Sequence, residues 1–175
     1  MKNLTKSFFA ALVLSIMATS QAFAEKTIYT EIEINAPAKQ VWAVLTNFKD
    51  YPNWNPFIKK ISGDVAVNTK LKVQIKPADD DAMDFTPRLK VVKPEQELRW
   101  LGRVLLPMVF DGEHYFKIEP LTANKVKFIH GEVFSGMLVP FFWGGMEQGT
   151  VNGFKAMNVA LKAQVEQQVN LHAMK

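Results

Sequence analysis

The chain has 175 residues, 48% of them hydrophobic, no cysteine and a formal charge of +4. The missing cysteines exclude disulfides, thiol catalysis, thiolate metal sites and lipid attachment through an N-terminal cysteine, so the core alone must hold the fold. Lys59-Lys60 is the only adjacent basic pair and no basic stripe interleaves with aromatics, so a nucleic-acid partner is not expected.

Lys2 and Lys6 open the chain, an apolar run follows from Phe8 to Ala18, and Ala22-Phe23-Ala24 has the small-x-small form of a cleavage site. This is the pattern of a secretory signal peptide (1–24), with cleavage after Ala24 and Glu25 as the mature N-terminus. It predicts export, to a periplasm or beyond. The remaining residues, 25–175, suit one domain, and removing Lys2 and Lys6 leaves 19 Lys+Arg against 17 Asp+Glu. No later segment is apolar enough to span a bilayer, so the protein is not expected to be integral to a membrane, and any membrane contact would be transient.

"TIYTEIEI" (27–34) alternates, with Ile28, Ile32 and Ile34 on one face, and predicts a half-buried strand. "NAPAKQVWAVLTNF" predicts a short helix with Pro37 in its first turn and Val41, Val44 and Leu45 on its apolar side. Pro52 and Pro56 in "KDYPNWNPF" should break that helix by forcing the preceding residues to be extended. "TKLKVQIK" (69–76) is a strand with Leu71, Val73 and Ile75 facing in, and Asp79 to Asp81 form a solvated turn. The next strand turns Met83, Phe85, Leu89 and Val91 inward, with Pro87 marking a bulge or an edge. Leu98, Trp100, Gly102 and Val104 share a face of the strand after it.

Residues 110–136 form the last hairpin. From Met146 onward, Thr150, Phe154, Met157, Leu161 and Val165 recur every three or four residues, predicting one long helix over about 141–168. Gly149 and Gly153 are costly inside a helix and suit either one that lies very close to a concave sheet or one that kinks or starts late near Gly144-Gly145. "MLVPFFWGG" (137–145) reads as an exposed patch, a gate or plain core. The fold class is therefore α+β: a curled antiparallel meander of five or six strands with one long helix. A helix cannot fill such a concavity alone, so the remainder is either core or pocket.

"IEINAPAKQVWAVLTNFKDYPNWNPFI" resembles the opening segment of the START-like (SRPBCC) superfamily, whose helix-grip fold includes lipid-transfer domains, plant pollen-allergen proteins and polyketide cyclases. "GEHYFKIEPLTANKVKFIHGEVFSGMLVP" followed by a long helix resembles its polyketide cyclase/dehydrase-like branch, and the likeness spans about 27–168. The resemblance implies a cavity between sheet and C-terminal helix holding a lipid, isoprenoid, quinone or aromatic polyketide. By parity, its wall would include Val73, Ile75, Met83, Phe85, Leu89, Trp100, Phe110, Phe116, Phe128, Phe134, Met146, Phe154 and Met157, which could equally pack as core.

The hairpin carries the chemistry. Phe110, Gly112, His114, Phe116 and Ile118 share a face on its first strand, and Val126, Phe128, His130, Glu132 and Phe134 on its second. A turn centred on 121–123 would pair His114 with His130, Phe116 with Phe128 and Gly112 with Glu132. Three titratable groups on an apolar face leave three readings open: a satisfied polar network that orients a ligand's head group, an acid/base set for cyclase- or dehydratase-like chemistry, or two nitrogens and an oxygen for a metal such as zinc. One cluster on one hairpin is a weak metal motif, and no metal or other cofactor is expected. His172 should be solvated in the C-terminal tail. No nucleophile-elbow, Walker or dinucleotide-binding glycine pattern is present. The expected function is binding or carriage of a hydrophobic small molecule, with an enzyme using His114, His130 and Glu132 as the alternative.

Overall fold

In the computed structural model, the described residues are 25–77, 81–104 and 106–173. The proposed signal peptide and Asp79-Asp80 of the acidic turn lie outside them.

The described residues open with strand β1 (Lys26–Ile34) and helix α1 (Ala38–Thr46), whose N-cap is Pro37. A 3₁₀ turn (Phe48–Asp50) and the short helix α2 (Tyr51–Trp54) follow. Tyr51 precedes Pro52 yet is helical, at φ −51° and ψ −42°, because Pro52 sits in the first turn where its missing N–H costs nothing. The Tyr51 hydroxyl, fully buried, donates to the Leu45 carbonyl at 2.6 Å and holds the turn against α1. Asn55, before Pro56, is extended as expected, at φ −87° and ψ 115°.

Strands β2 (Ile58–Ser62), β3 (Lys72–Ile75) and β4 (Met83–Phe85) form a three-stranded antiparallel sheet. Strands β5 (Arg88–Lys93), β6 (Glu97–Val104), β7 (Phe110–Thr122) and β8 (Lys125–Ser135) join β1 in a five-stranded sheet of order β1-β8-β7-β6-β5. The single strand expected across Pro87 is therefore two strands in two sheets, since proline cannot donate to a continuous ladder. Strand β2 escapes sequence reading because "IKKIS" is short and only partly alternating.

Helix α3 spans Val139–Ala173, 35 residues, starting two residues before the expected bounds and ending five residues past them. It thus includes the backbone at His172. Its second half is firmly held: Phe154, Met157, Leu161 and Val165 are fully buried. The Asn35 backbone and side-chain N–H groups both donate to Glu166 Oε1 (2.8 and 2.9 Å), and Lys162 donates to the Glu33 carbonyl at 2.7 Å. The first half is held less, with Phe141 81% exposed and open space beside Gly144 and Gly145. No helix among the described residues is long and apolar enough to cross a membrane.

Gly153 allows the helix to approach the Phe57 ring rather than the sheet, and a Cβ there would collide with that ring. Phe57 is in turn edge-on to Phe154 at 5.5 Å. Gly153→Ala is expected to destabilise the fold by about 1–3 kcal/mol in urea denaturation, overpacking outweighing the ~1 kcal/mol gained in helix propensity. Unchanged or raised stability would show that Phe57 can yield.

Candidate functional site

Between the inner face of the large sheet, the small sheet and the first half of α3 lies a cavity of about 380 Å³. Of the residues singled out from the sequence, Phe85, Trp100, Phe110, His114, Glu132, Phe134 and Met146 line it, together with Val73, Ile75 and Met83. Phe116, Phe128, His130, Phe154 and Met157 do not: each is fully buried in the core behind the wall, as is Leu89. Parity selects the inward face of a strand, but not which part of that face the helix covers. The same limit hid Phe57, Leu138 and Phe142, which reach the cavity from loops and from the helix start. In "MLVPFFWGG", Val139 is core, Phe142 meets Phe110 edge-on at 6.0 Å at the cavity and Phe141 faces solvent, so the stretch is part core, part cavity lining and part exposed surface.

The hairpin register differs from the expected one by two residues. Thr122 pairs with Lys125 around a tight Ala123-Asn124 turn, and an irregularity at Leu121 resets the ladder. His114 therefore faces Glu132, Phe116 faces His130 and Gly112 faces Phe134. A two-residue shift keeps every side chain on its own face, so the hydrophobic pattern could not detect it. The Glu132 carboxyl nevertheless reaches diagonally over Gly112, and a Cβ on Gly112 would collide with its Oε1.

The three titratable groups form one line. His114 Nδ1 is 3.2 Å from Glu132 Oε2, and His114 Nε2 is 3.0 Å from His130 Nε2. His130 Nδ1 continues to Asn158 Oδ1 at 3.0 Å, Asn158 Nδ2 donates to Thr30 Oγ1 at 3.0 Å, and that hydroxyl donates to the His130 carbonyl at 2.9 Å. Asn158 and Thr30 were not singled out from the sequence, although Thr30 shares the parity of Ile28 and Ile32 and Asn158 sits one turn after Phe154. A polar residue in phase with an apolar stripe is the signal that would have found both.

Aromatic rings clamp this line. Trp100 stacks on His114 (4.6 Å between centroids, 7° between planes), and Phe154 stacks on His130 (3.7 Å, 15°). Removal from water shifts every member toward its uncharged form. Burial pushes the Glu132 carboxyl up to about 8 and His114 down to about 3. Burial and then the neighbouring His114 lower His130 well below its ordinary value, against the opposing pull of its bonds to Asn158 and the Phe154 main chain. Glu132, with its side chain 18% exposed against 6% for His114, is the member of the line most open to the cavity. Arg103, paired with Asp111 at 3.4 Å, is the other charged residue in the wall. Every ring nitrogen of the two histidines already has a protein partner, and among the described residues no group of three His, Asp or Glu is placed to hold a metal ion.

Comparison with known families matches residues 25–166 to the family described as polyketide cyclase/dehydrase and lipid transport. The chain belongs to this family. The START-like resemblance of its sequence is thereby shown, and solved structures share its helix-grip fold. The aromatase/cyclase Zhui from Streptomyces sp. R1128 is similar over 83% of this chain and 96% of its own, with a TM-score of 0.69 at 15% identity. Norcoclaurine synthase from Thalictrum flavum, solved with dopamine and hydroxybenzaldehyde, covers 83% of this chain and 89% of its own (TM-score 0.64, 18% identity). A START superfamily protein from Mycobacterium smegmatis covers 81% and 98% (TM-score 0.64, 17% identity). At these identities the likeness is one of fold. Comparison with curated proteins gave no match.

Proposed function

We propose that the protein is an exported binding or carrier protein for a hydrophobic small molecule, whose polar group meets Glu132. The observation that carries this reading is a largely apolar cavity of about 380 Å³ into which one end of a satisfied polar line opens. Apolar walls supply affinity, and a few placed polar groups supply orientation. The family's lipid-transport members and the leader-like residues 1–24 are consistent with carriage outside the cytoplasm. The exposed apolar residues Leu106, Met108 and Phe141 suit transient contact with a membrane surface.

A second reading is favoured by one observation. A carboxyl that keeps its proton to about pH 8 beside an apolar cavity is suited to act as a general acid in cyclase- or dehydratase-like chemistry. Histidines held in the uncharged form with lowered basicity suit the role of base less well, and His130 does not reach the cavity. In that reading Glu132 is the group that meets substrate, and His114 and His130 position it.

Native mass spectrometry of the untagged protein, isolated from the envelope of its own cells, tests the leading reading. The expected result is a chain beginning at Glu25 that carries an organic mass in the range of a lipid, isoprenoid or polyketide. Thr150→Phe, which places a ring in the cavity from the helix side, should lose that mass while keeping the wild-type melting temperature within a few degrees. A mass retained by Thr150→Phe would place the ligand elsewhere. A chain beginning at Met1 would remove export.

A further inference from the structure

The hydrogen bonds of the buried line have a direction, and it can be derived from its far end. The one hydroxyl proton of Thr30 is committed to the His130 carbonyl, so its oxygen accepts from Asn158 Nδ2. This orients the amide with Oδ1 toward His130, and Oδ1 can only accept, so His130 Nδ1 carries a hydrogen. A neutral His130 then has a bare Nε2, and His114 must donate to it from its own Nε2. One proton remains between His114 Nδ1 and Glu132 Oε2. Whether it sits on the oxygen or the nitrogen, Glu132 Oε1 carries none. That oxygen, on the Gly112 side of the carboxyl, is a pure acceptor.

We infer that Asn158 and Thr30 are positioning residues that fix this direction, and that the site consequently selects a ligand whose buried polar group is a neutral hydroxyl, phenolic or alcoholic, donating to Glu132 Oε1. The inference rests on the ligand-binding reading above and narrows it. A ketone, ether or carboxylate would set acceptor against acceptor at Oε1, and an ammonium would bring an unpaired charge into an apolar chamber. Glu132 is the contact with the ligand. Asn158 acts only through the two histidines, some two hydrogen bonds behind the wall.

Two measurements test it. Histidine ¹⁵N NMR on the ligand-free protein should show His130 bearing its hydrogen on Nδ1 and His114 bearing one on Nε2. The converse tautomer of His130 would overturn the direction whatever binds. Titration with 2-naphthol and with 2-methoxynaphthalene, which share a ring system and differ in the donor, should then give about tenfold or more tighter binding of the naphthol. Asn158→Leu should bring that ratio below about threefold while leaving the affinity for the methyl ether within about twofold. Equal affinities in the wild type would overturn the selection and leave the binding reading standing. Binding of neither compound would overturn the hydrophobic-ligand reading together with the selection built on it, while the tautomers of the free protein would still decide the direction.

Discussion

Glu132→Gln should gain stability relative to the wild type as the pH rises from about 5 to 8, by a few kcal/mol in all, and the gain should level off above that. Below the ordinary carboxyl range both the folded and unfolded wild-type chains hold the proton. Between that range and about pH 8 only the folded chain holds it, so folding takes up a proton and stability is lost with increasing pH. Each pH unit of that window is worth about 1.4 kcal/mol, which sums to roughly 3–5 kcal/mol at its end. The amide is never charged and escapes the loss. The two histidines act on the other side. Their lowered proton affinity makes stability fall as the pH drops from about 6.5 toward 3, and both proteins should share that limb. The measurement is chemical denaturation at a series of pH values, with circular dichroism as readout. Parallel curves from pH 5 to 9 would mean that the carboxyl is solvated in the folded state.

The largest loss of stability from a single side chain is expected for Phe154→Ala, about 3–5 kcal/mol. The ring is fully buried and touches three others besides: it stacks on His130, lies 5.0 Å from His114 in an edge contact, and meets Phe57 edge-on. Its removal opens a cavity at the point where the helix, the buried line and α2's exit loop converge. Against a total of about 5–15 kcal/mol for a domain, such a loss should lower the denaturation midpoint steeply. Phe154→Leu, which keeps much of the volume, should recover at least half of it. A change below about 1 kcal/mol for the alanine variant would show that the surrounding core collapses into the space.

Most of the architecture was legible because it is written in period. Alternation located β1, β3, β6, β7 and β8, and the change to a three-to-four-residue repeat located α3. What period cannot encode is pairing. It places His114 and His130 on one face but cannot fix their rungs, since a shift of two residues leaves the alternation intact. Nor does it encode partition between sheets: Met83 to Val91 looks like one inward face, and only the split at Pro87 sends half of it to a second sheet. Within the site, the strand residues His114 and Glu132 stood out as polar groups among phenylalanines. Asn158 stands in phase with the apolar stripe of α3, but its partners are 28 and 128 positions away along the chain, so the sequence does not tie it to the histidines. The direction of the line depends on an amide from α3 and a hydroxyl from β1, and no local pattern joins them.

Helix α3 is anchored unevenly, and this separates how tightly a ligand is held from how long it stays. Its second half is tied by Lys162 to Glu33 in β1 and by Glu166 to Asn35 just after it, whereas the turns over the cavity carry Gly144 and Gly145 with open space beside them. Each such glycine weakens its turn by about 1 kcal/mol relative to alanine, and local unwinding there costs far less than global unfolding. Passage in and out of the chamber would then be timed by fraying of a few turns, with the walls and the buried line undisturbed. Affinity would be written at the floor of the cavity, and residence time at its roof.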